Sequence, residues 1–347
     1  MANFDNIILN LNSTIKEALA TLQNGSYKIV LVTDKNNKLL GTITDGDIRR
    51  GLLKKYTLND KIKNIINKNP STCTINDPKE KIVQLAISKK LHIIPIVDEN
   101  NLLIDIEDVD LLVNPPTQTN KVILMVGGLG SRLYPLTQNT PKPLLKVGAK
   151  PILETIIENF AKYGFVDIVL SVNYKASMIE EYFKDGSKFG VNISYIYEKD
   201  RLGTAGSLSL LADIPDNPFF VMNGDLLTNI NFKHLLTHHI KSKAMATMTI
   251  REIKTQIPYG VIETKNNIIT SIKEKPTTIY NVNAGIYVLE PDVLKYIPKN
   301  RFFDMTTLFE TLIKNNYPTT IFNNNGYWID IGQHSDYEKA NIDFGQI

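Results

Sequence analysis

The run VILMVGGLGSRLYPLTQNTPKPLLKVGAKP, from Val122 to Pro151, decides how this chain is read. Its first four residues, Val122 to Met125, are all apolar and read as a buried strand. Gly127, Gly128 and Gly130 then allow a sharp turn with exposed backbone N–H groups, an arrangement that favours an anion. Two familiar glycine-rich loops are excluded. A dinucleotide-binding turn needs a third glycine where Leu133 stands, and a Walker loop needs Gly-Lys-Ser/Thr where this turn closes with Ser131-Arg132. Arg132, Lys142 and the three prolines Pro135, Pro141 and Pro143 have no purpose in an ordinary strand exit. They would hold a cationic loop rigid around a polyphosphate.

Beyond this loop, helices and strands alternate: ILETIIENFAKYG, VDIVLSV, SMIEEYFKDG, NISYIYE, a short helix from Thr204, and FFVMNGD. The order predicts an α/β fold with a mostly parallel, doubly wound, Rossmann-like sheet. Ligands in such sheets sit at the carboxyl ends of the strands. Asp225 closes the run Phe219 to Gly224, and Asp330 follows Tyr327-Trp328-Ile329, so both carboxylates are expected at strand ends facing a cleft or a metal. Two aspartates together with a triphosphate make up the oxygen set that Mg²⁺ prefers. His234 and His238 stand four residues apart beside His239, but no HExxH glutamate accompanies them, and a solvated helix face is expected.

The pattern GGxGSRLxPLTxxxPKPLLxV resembles, without a gap, the signature of the nucleotidyltransferases that join a nucleoside triphosphate (NTP) to a sugar 1-phosphate. That resemblance implies roles for particular residues. Gly127, Gly128, Gly130, Ser131, Arg132 and Lys142 would hold the NTP, and Glu198, Gly203 and Thr204 would lie beside its base. Asp225 in NGD and Asp330 in WxDxG would bind Mg²⁺, and with Arg132 and Lys142 they form the expected catalytic set. Tyr259 and Gly260 in YGV, Glu274 and Lys275 in EKP, and Asn283 in NAG match segments that hold the sugar and its phosphate. GGLGSRL, PKPLL, LGTAG and NAGIYVL look most like guanylyltransferases of the mannose 1-phosphate type.

Upstream lies an internal repeat. NKLLGTITDGDIRRGLL, from Asn37, aligns at an offset of about 63 with NNLLIDIEDVDLLV, from Asn100, each copy following an apolar strand. The repeat resembles a pair of CBS motifs, expected at residues 1–56 and 57–113, ahead of a linker at 114–120 and a transferase domain at 121–347. Thr44 and Asp47 match the family's Ser/Thr-x-x-Asp, whose hydroxyl approaches phosphate and whose carboxylate holds ribose. At the stated offset Glu107 aligns with Thr44 and Asp110 with Asp47, and a carboxylate beside phosphate is repulsive. At most one adenine-nucleotide site is therefore expected, using Thr44, Asp47 and Asp110, with a packing and dimerisation module as the alternative. A CBS pair ahead of a guanylyltransferase is similar to the glucosamine 1-phosphate enzymes of bacterial legionaminic acid synthesis. The resemblance implies GTP and glucosamine 1-phosphate. Mannose 1-phosphate with GTP, glucose 1-phosphate with dTTP, and a nucleotide-sensing pseudoenzyme stay open.

Composition narrows the remaining classes. With 347 residues, 43% of them hydrophobic, the chain can bury two cores. A net charge of +3, dispersed as single lysines, argues for neither nucleic acid nor a membrane surface as partner. Cys73 alone cannot form an intramolecular disulfide, and no leader segment is evident, so the cytoplasm is the expected compartment. A homo-oligomer is expected.

Overall fold

Asn37 and Asn101 both adopt left-handed backbone, with φ of 62° and 64°, and from them the symmetry of the N-terminal half follows. The computed structural model describes residues 4–25, 27–75 and 77–343, and the chain divides into two units, Met1–Pro116 and Thr117–Ile347. In the first unit, α1 (Ile15–Asn24), β1 (Val30–Thr33), β2 (Leu39–Ile43) and α2 (Asp45–Leu53) are followed by α3 (Lys79–Lys89), β3 (Ile93–Val97), β4 (Leu103–Asp108) and α4 (Val109–Val113). Strands pair antiparallel within each copy, Val30 facing Ile43 and Ile94 facing Glu107. Between copies, the Asn37 side chain donates to the Leu103 carbonyl at 2.9 Å and Asn101 to that of Leu39 at 2.8 Å. Leu31 and Leu39 share one buried cluster with Val97, Leu103 and Ile106, so neither copy covers its apolar face alone.

This pairing corrects the alignment read from sequence. Asn37 matches Asn101, Val30 matches Ile94, and the helix caps Thr44 and Asp108 correspond, a spacing one residue longer than the leucine pairs suggest. Asp108, not Glu107, is the counterpart of Thr44, and Leu111, not Asp110, is the counterpart of Asp47. Glu107 is wholly buried at the position of Ile43. The expected linker is also shorter at its far end: Gln118 N donates to Gly164 O at 2.8 Å and the Asn120 side chain to Pro218 O at 2.7 Å, both inside the second unit.

The second unit is built on β5 (Val122–Met125), α5 (Ile152–Ala161), β6 (Asp167–Val172), α6 (Ala176–Phe183), β7 (Asn192–Tyr197), β8 (Phe219–Asn223), β9 (Leu226–Thr228) and α7 (Phe232–Ser242). There follow β10 (Ala246–Gln256), β11 (Val261–Lys265), β12 (Ile268–Lys273), β13 (Thr277–Leu289), α8 (Met305–Lys314), β14 (Thr319–Asn323), β15 (Trp328–Asp330) and α9 (His334–Ile342). Seven strands form the central sheet in the order β7-β6-β5-β8-β13-β10-β14. All neighbours are parallel except β13, which runs antiparallel to β8 and β10, so the sheet is mostly parallel as predicted. Unbroken apolar runs such as Val122-Ile123-Leu124 are fully buried because helices cover both faces of such a strand. On α5, Ile152, Ile156, Ile157 and Phe160 make the buried stripe, and Phe160 stacks on Phe232 at 3.7 Å between ring centres. Among the described residues no helix is long and apolar enough to cross a membrane.

The expectation of a solvated histidine face on α7 is overturned. His234 is 5% exposed and His239 is fully buried, its Nδ1 2.7 Å from the Thr247 hydroxyl oxygen. The helix turns that side inward because Phe232, Leu235 and Leu236 lie on it and bury against the core. Burial, with His238 alongside, pushes His239 down to about 4. Above its ordinary value of 6.5 the ring is neutral in both folded and unfolded chains, and the stabilisation is complete. As pH falls from 6.5 to about 4, the unfolded chain takes up the proton first and that contribution is lost. Urea melts followed by the single tryptophan, Trp328, should lose about 3 kcal/mol across this window, at 1.36 kcal/mol per pH unit. His239→Gln should flatten the loss, and an unchanged pH profile in that variant contradicts the assignment.

Candidate functional site

At the carboxyl ends of β5 and β8 the glycine loop meets the two aspartates. Gly130 has φ +66°, and a Cβ there would stand 2.8 Å from Thr137 Cγ2 and 3.2 Å from Lys142 Cβ, so the turn closes tightly only with glycine. The Thr137 hydroxyl donates to Gly130 O at 2.9 Å and fixes the turn from the other side. A turn at residues 142–144 then carries Lys142 inward; it is 8% exposed, and its Nζ lies 2.5 Å from Asp225 Oδ2. β9 pairs antiparallel with β15, setting Leu226 opposite Asp330, and Ile331 N donates to Asp225 O at 3.1 Å. The two carboxylates are thereby neighbours although 105 residues apart. Arg132 completes the group, its Nη1 3.5 Å from where a Cβ on Gly332 would stand.

The charges act on one another. Asp330 opens toward solvent, yet protein crowds its carboxyl; this burial and the adjacent Asp225 push its pKa above the usual value, while Lys142 and Arg132 pull it down. Asp225 Oδ1 and Asn223 Oδ1 are buried acceptors at the cleft without a protein hydrogen-bond donor. Paired carboxylates with an orphaned oxygen between fixed cations suit a hard divalent ion that takes oxygen ligands and shares them with phosphate. The residues fit Mg²⁺, which Asp225 and Asp330 would hold.

The cleft has a volume of about 280 Å³ and is lined by Met125, Gly127, Gly128, Glu198, Gly203, Thr204 and Asp225, with Arg201, Asn223, Phe302 and Asp304. The Glu198 carboxylate accepts from the Ser171 hydroxyl at 2.7 Å and from Leu202 N at 3.2 Å, which fixes its direction. Thr204 N donates to Asp304 Oδ1 at 3.2 Å, and the Thr204 hydroxyl oxygen accepts from Met305 N at 2.9 Å. Sequence reasoning missed the last four lining residues. Asn223 and Arg201 adjoin motifs already singled out, whereas Asp304 lies 100 residues from Thr204 and announces itself only as an ordinary helix cap.

Most of the expected sugar-phosphate residues lie on a ribbon that continues two strands of the central sheet. Tyr259, Gly260, Glu274 and Lys275 meet one another across a β-ribbon, Lys275 N donating to Tyr259 O at 3.3 Å, and none of them lines the cleft. Asn283 is at the ribbon's root, its side chain donating to the Tyr287 hydroxyl and accepting from Gly285 N.

Residues 121–346 match the sequence profile of the Nucleotidyl transferase family, nearly the whole second unit. The chain belongs to that family. Residues 3–54 of this nucleotidyl transferase match the CBS domain family. It is similar to a mannose-1-phosphate guanyltransferase of Yarrowia lipolytica, 39% identical over 231 residues, covering 62% of each chain. It is also similar to a UTP–glucose-1-phosphate uridylyltransferase of Synechocystis, 33% identical, covering 63% of this chain and 62% of the other. The chain thus spans about three fifths of the length of these relatives. Among solved structures, HddC from Yersinia pseudotuberculosis complexed with GMP-PN superposes with a TM-score of 0.52 at 25% identity, over 65% of this chain and 99% of that one.

In the first unit a second cleft, of about 460 Å³, lies across the pseudo-symmetric repeat. Lys28, Ile29 and Thr44 line it from one copy, and the matching His92, Ile93 and Asp108 from the other, with Lys90 and Asp110. Thr44 and Asp110 are at this cleft as expected, but Asp47 is not among its lining residues. Its Oδ2 accepts from Thr44 N at 2.8 Å and from the Thr44 hydroxyl at 2.7 Å, and its Oδ1 from Arg50 at 2.6 Å.

Gly203 tests the cleft's geometry. Its φ is +80°, and a Cβ would stand 2.8 Å from both Asp304 Oδ1 and Phe303 O. Gly203→Ala should cost roughly 1–3 kcal/mol through left-handed strain and weaken nucleotide binding by pushing the 302–304 loop away. Denaturant melts and calorimetric titration check both; wild-type values for both contradict the close packing.

Proposed function

We propose that the chain is a hexose-1-phosphate guanylyltransferase, forming a GDP-sugar and pyrophosphate. The observation that carries this reading is the convergence of Arg132, Lys142, Asp225 and Asp330 on one rim of the sheet, beside a cleft with an orphaned carboxylate oxygen. Guanine presents the N2 amino donor and the O6 and N7 acceptors. Glu198 and Asp304 offer acceptors and Arg201 a donor in the same cleft, with Phe302 exposed for stacking. Among the relatives, the Yarrowia lipolytica guanyltransferase supports the same base.

An oxygen of the sugar 1-phosphate attacks the α-phosphorus of GTP in line. The new P–O bond forms as the bond to the β-phosphate bridging oxygen breaks, and its electrons leave with pyrophosphate. The attacking oxygen is already anionic, so no strong base is required; the barrier lies in bringing two anions together. Arg132 and Lys142 neutralise the triphosphate and the charge of the transition state, and Lys275 holds the sugar phosphate. When bound at Asp225 and Asp330, Mg²⁺ would supply positive charge to the phosphate oxygens. A pseudoenzyme would be free to lose any of the four charged residues, and this chain retains them all.

For the sugar we propose glucosamine 1-phosphate, in a legionaminic-acid type of surface-glycan synthesis, on the resemblance carried by the repeat ahead of the transferase. Mannose 1-phosphate is the second reading, favoured by the Yarrowia relative. The CBS cleft is proposed to take an adenine nucleotide, its lysines and His92 facing phosphate. We place the reaction in the cytoplasm.

Pyrophosphate release over a grid of five NTPs and several hexose 1-phosphates with Mg²⁺ should peak at GTP with glucosamine 1-phosphate. Silence across the whole grid sinks the enzyme reading. Asp225→Asn should lower kcat on the order of 10²-fold or more while GTP binding changes little, and AMP or ATP at millimolar concentration should alter the wild-type rate.

A further inference from the structure

The stretch from Gly130 to Gly148 carries Arg132 and Lys142, and its backbone closes a series of local turns. Leu133 N donates to Gly130 O at 2.9 Å, Leu136 N to Leu133 O at 2.9 Å, Gln138 N to Pro135 O at 3.0 Å and Leu144 N to Pro141 O at 2.9 Å. At its far end Lys146 and Val147 pair with Pro151 and Lys150 in a short hairpin. Such bonds shape a segment without fixing where it lies. Tyr134, Pro135, Leu136, Gln138, Lys146 and Gly148 are all exposed, and a segment of that kind opens at low cost unless it is bonded from outside.

Helix α9 supplies bonds from outside. His334 Nε2 lies 2.9 Å from Tyr134 O, the Tyr337 hydroxyl donates to Lys146 O at 2.6 Å, and Asn341 Oδ1 accepts from Gly148 N at 3.0 Å. The partners are 191 to 200 residues apart in sequence. A carbonyl can only accept, so His334 carries a proton on Nε2. Positions 334, 337 and 341 stand at i, i+3 and i+7, on one side of the helix. That side is polar, and it meets the main chain of the loop on both flanks of Lys142.

The helix is itself anchored at the site. Asp330 ends β15, and only Ile331, Gly332 and Gln333 separate it from α9. Asp336 Oδ2 accepts from Gln333 N at 2.9 Å in a capping box that fixes the helix start. A Cβ on Gly332 would stand 3.5 Å from Arg132 Nη1 and 3.5 Å from Asp336 Oδ2, so the first turn of α9 comes close to the guanidinium as well. One end of the helix thus continues the strand that bears Asp330, and its polar side grips the loop that bears both cations.

We propose that His334, Tyr337 and Asn341 are positioning residues, and that α9 is a clasp holding Arg132 and Lys142 in register with Asp330 through the main chain of residues 134–148. A small displacement of a cation costs a transition state more than it costs ground-state binding, because the in-line geometry must be met closely. The clasp therefore acts on turnover. Its effect on turnover rests on the transferase reading above, whereas its effect on the loop rests on the three bonds alone.

Amide hydrogen exchange on the full chain reads the clasp without any turnover. The triple variant His334→Leu/Tyr337→Phe/Asn341→Leu should exchange roughly tenfold faster across residues 131–148, with the central strands as in wild type. Its kcat should fall roughly tenfold or more, with KM for GTP changed less than about threefold. His334→Gln and Asn341→Asp, which keep a donor and an acceptor in place, should stay near wild type in both measurements. Wild-type exchange across 131–148 in the triple variant overturns the clasp, and so does a fall in rate with no change there. Conservative variants as defective as the triple also overturn it, since the bonds are then not what acts. If the triple variant unfolds, Tyr337→Phe decides alone: it removes one hydroxyl, and unchanged exchange across 143–148 overturns the proposal. A wild type inactive with every substrate pair, while the exchange pattern holds, locates the failure in the transferase reading and leaves the clasp standing.

Discussion

Ile331 donates its backbone N–H to the carbonyl of Asp225, and the strand pairing around that bond sets two carboxylates from distant parts of the chain beside each other. Like charges about 4 Å apart repel by about 4 kcal/mol in a partly screened protein environment. Such an arrangement persists only where cations answer it. Lys142, drawn inside by a proline-flanked turn, lies against Asp225, and Arg132 stands over the neighbouring strand end. The rest of the second unit, from the buried parallel strands to the tight turn at Gly130, holds these four groups at one rim. Polyphosphate chemistry needs that concentration of alternating charge more than it needs a base.

Much of this was legible before any coordinates. The loop at residues 127–142, the strand-end aspartates and the alternation of strands and helices each carry a local signal, because apolar runs, glycines and strand-terminal carboxylates are constrained by their own neighbours. The base side of the cleft was only half legible. Glu198 and Gly203 lie in recognisable runs, but Asp304 reaches Thr204 only through tertiary packing.

The misreadings have physical causes as well. In the repeat, paired leucines drew the alignment one residue out of step, whereas the left-handed Asn37 and Asn101 mark the true equivalence. A one-residue slip in a strand exchanges its buried and exposed faces, which is why Glu107 proves to be core while Asp108 lines the cleft. The histidines of α7 look solvated by composition, but the Phe232 and Leu235 side of the helix carries two of them inward. The ribbon gave the least warning. Its isoleucine-rich strands would suit a buried sheet, yet no position from 251 to 283 is buried.

The central claim, that Asp225 and Asp330 jointly hold one divalent ion with the nucleotide, is tested most directly by electron paramagnetic resonance with Mn²⁺ in place of Mg²⁺. In the presence of a non-hydrolysable GTP analogue, wild type should take up one Mn²⁺ per chain, and Asp330→Asn should bind it at least about tenfold more weakly. Equal Mn²⁺ affinity in the two proteins, with nucleotide bound in both, would contradict the account.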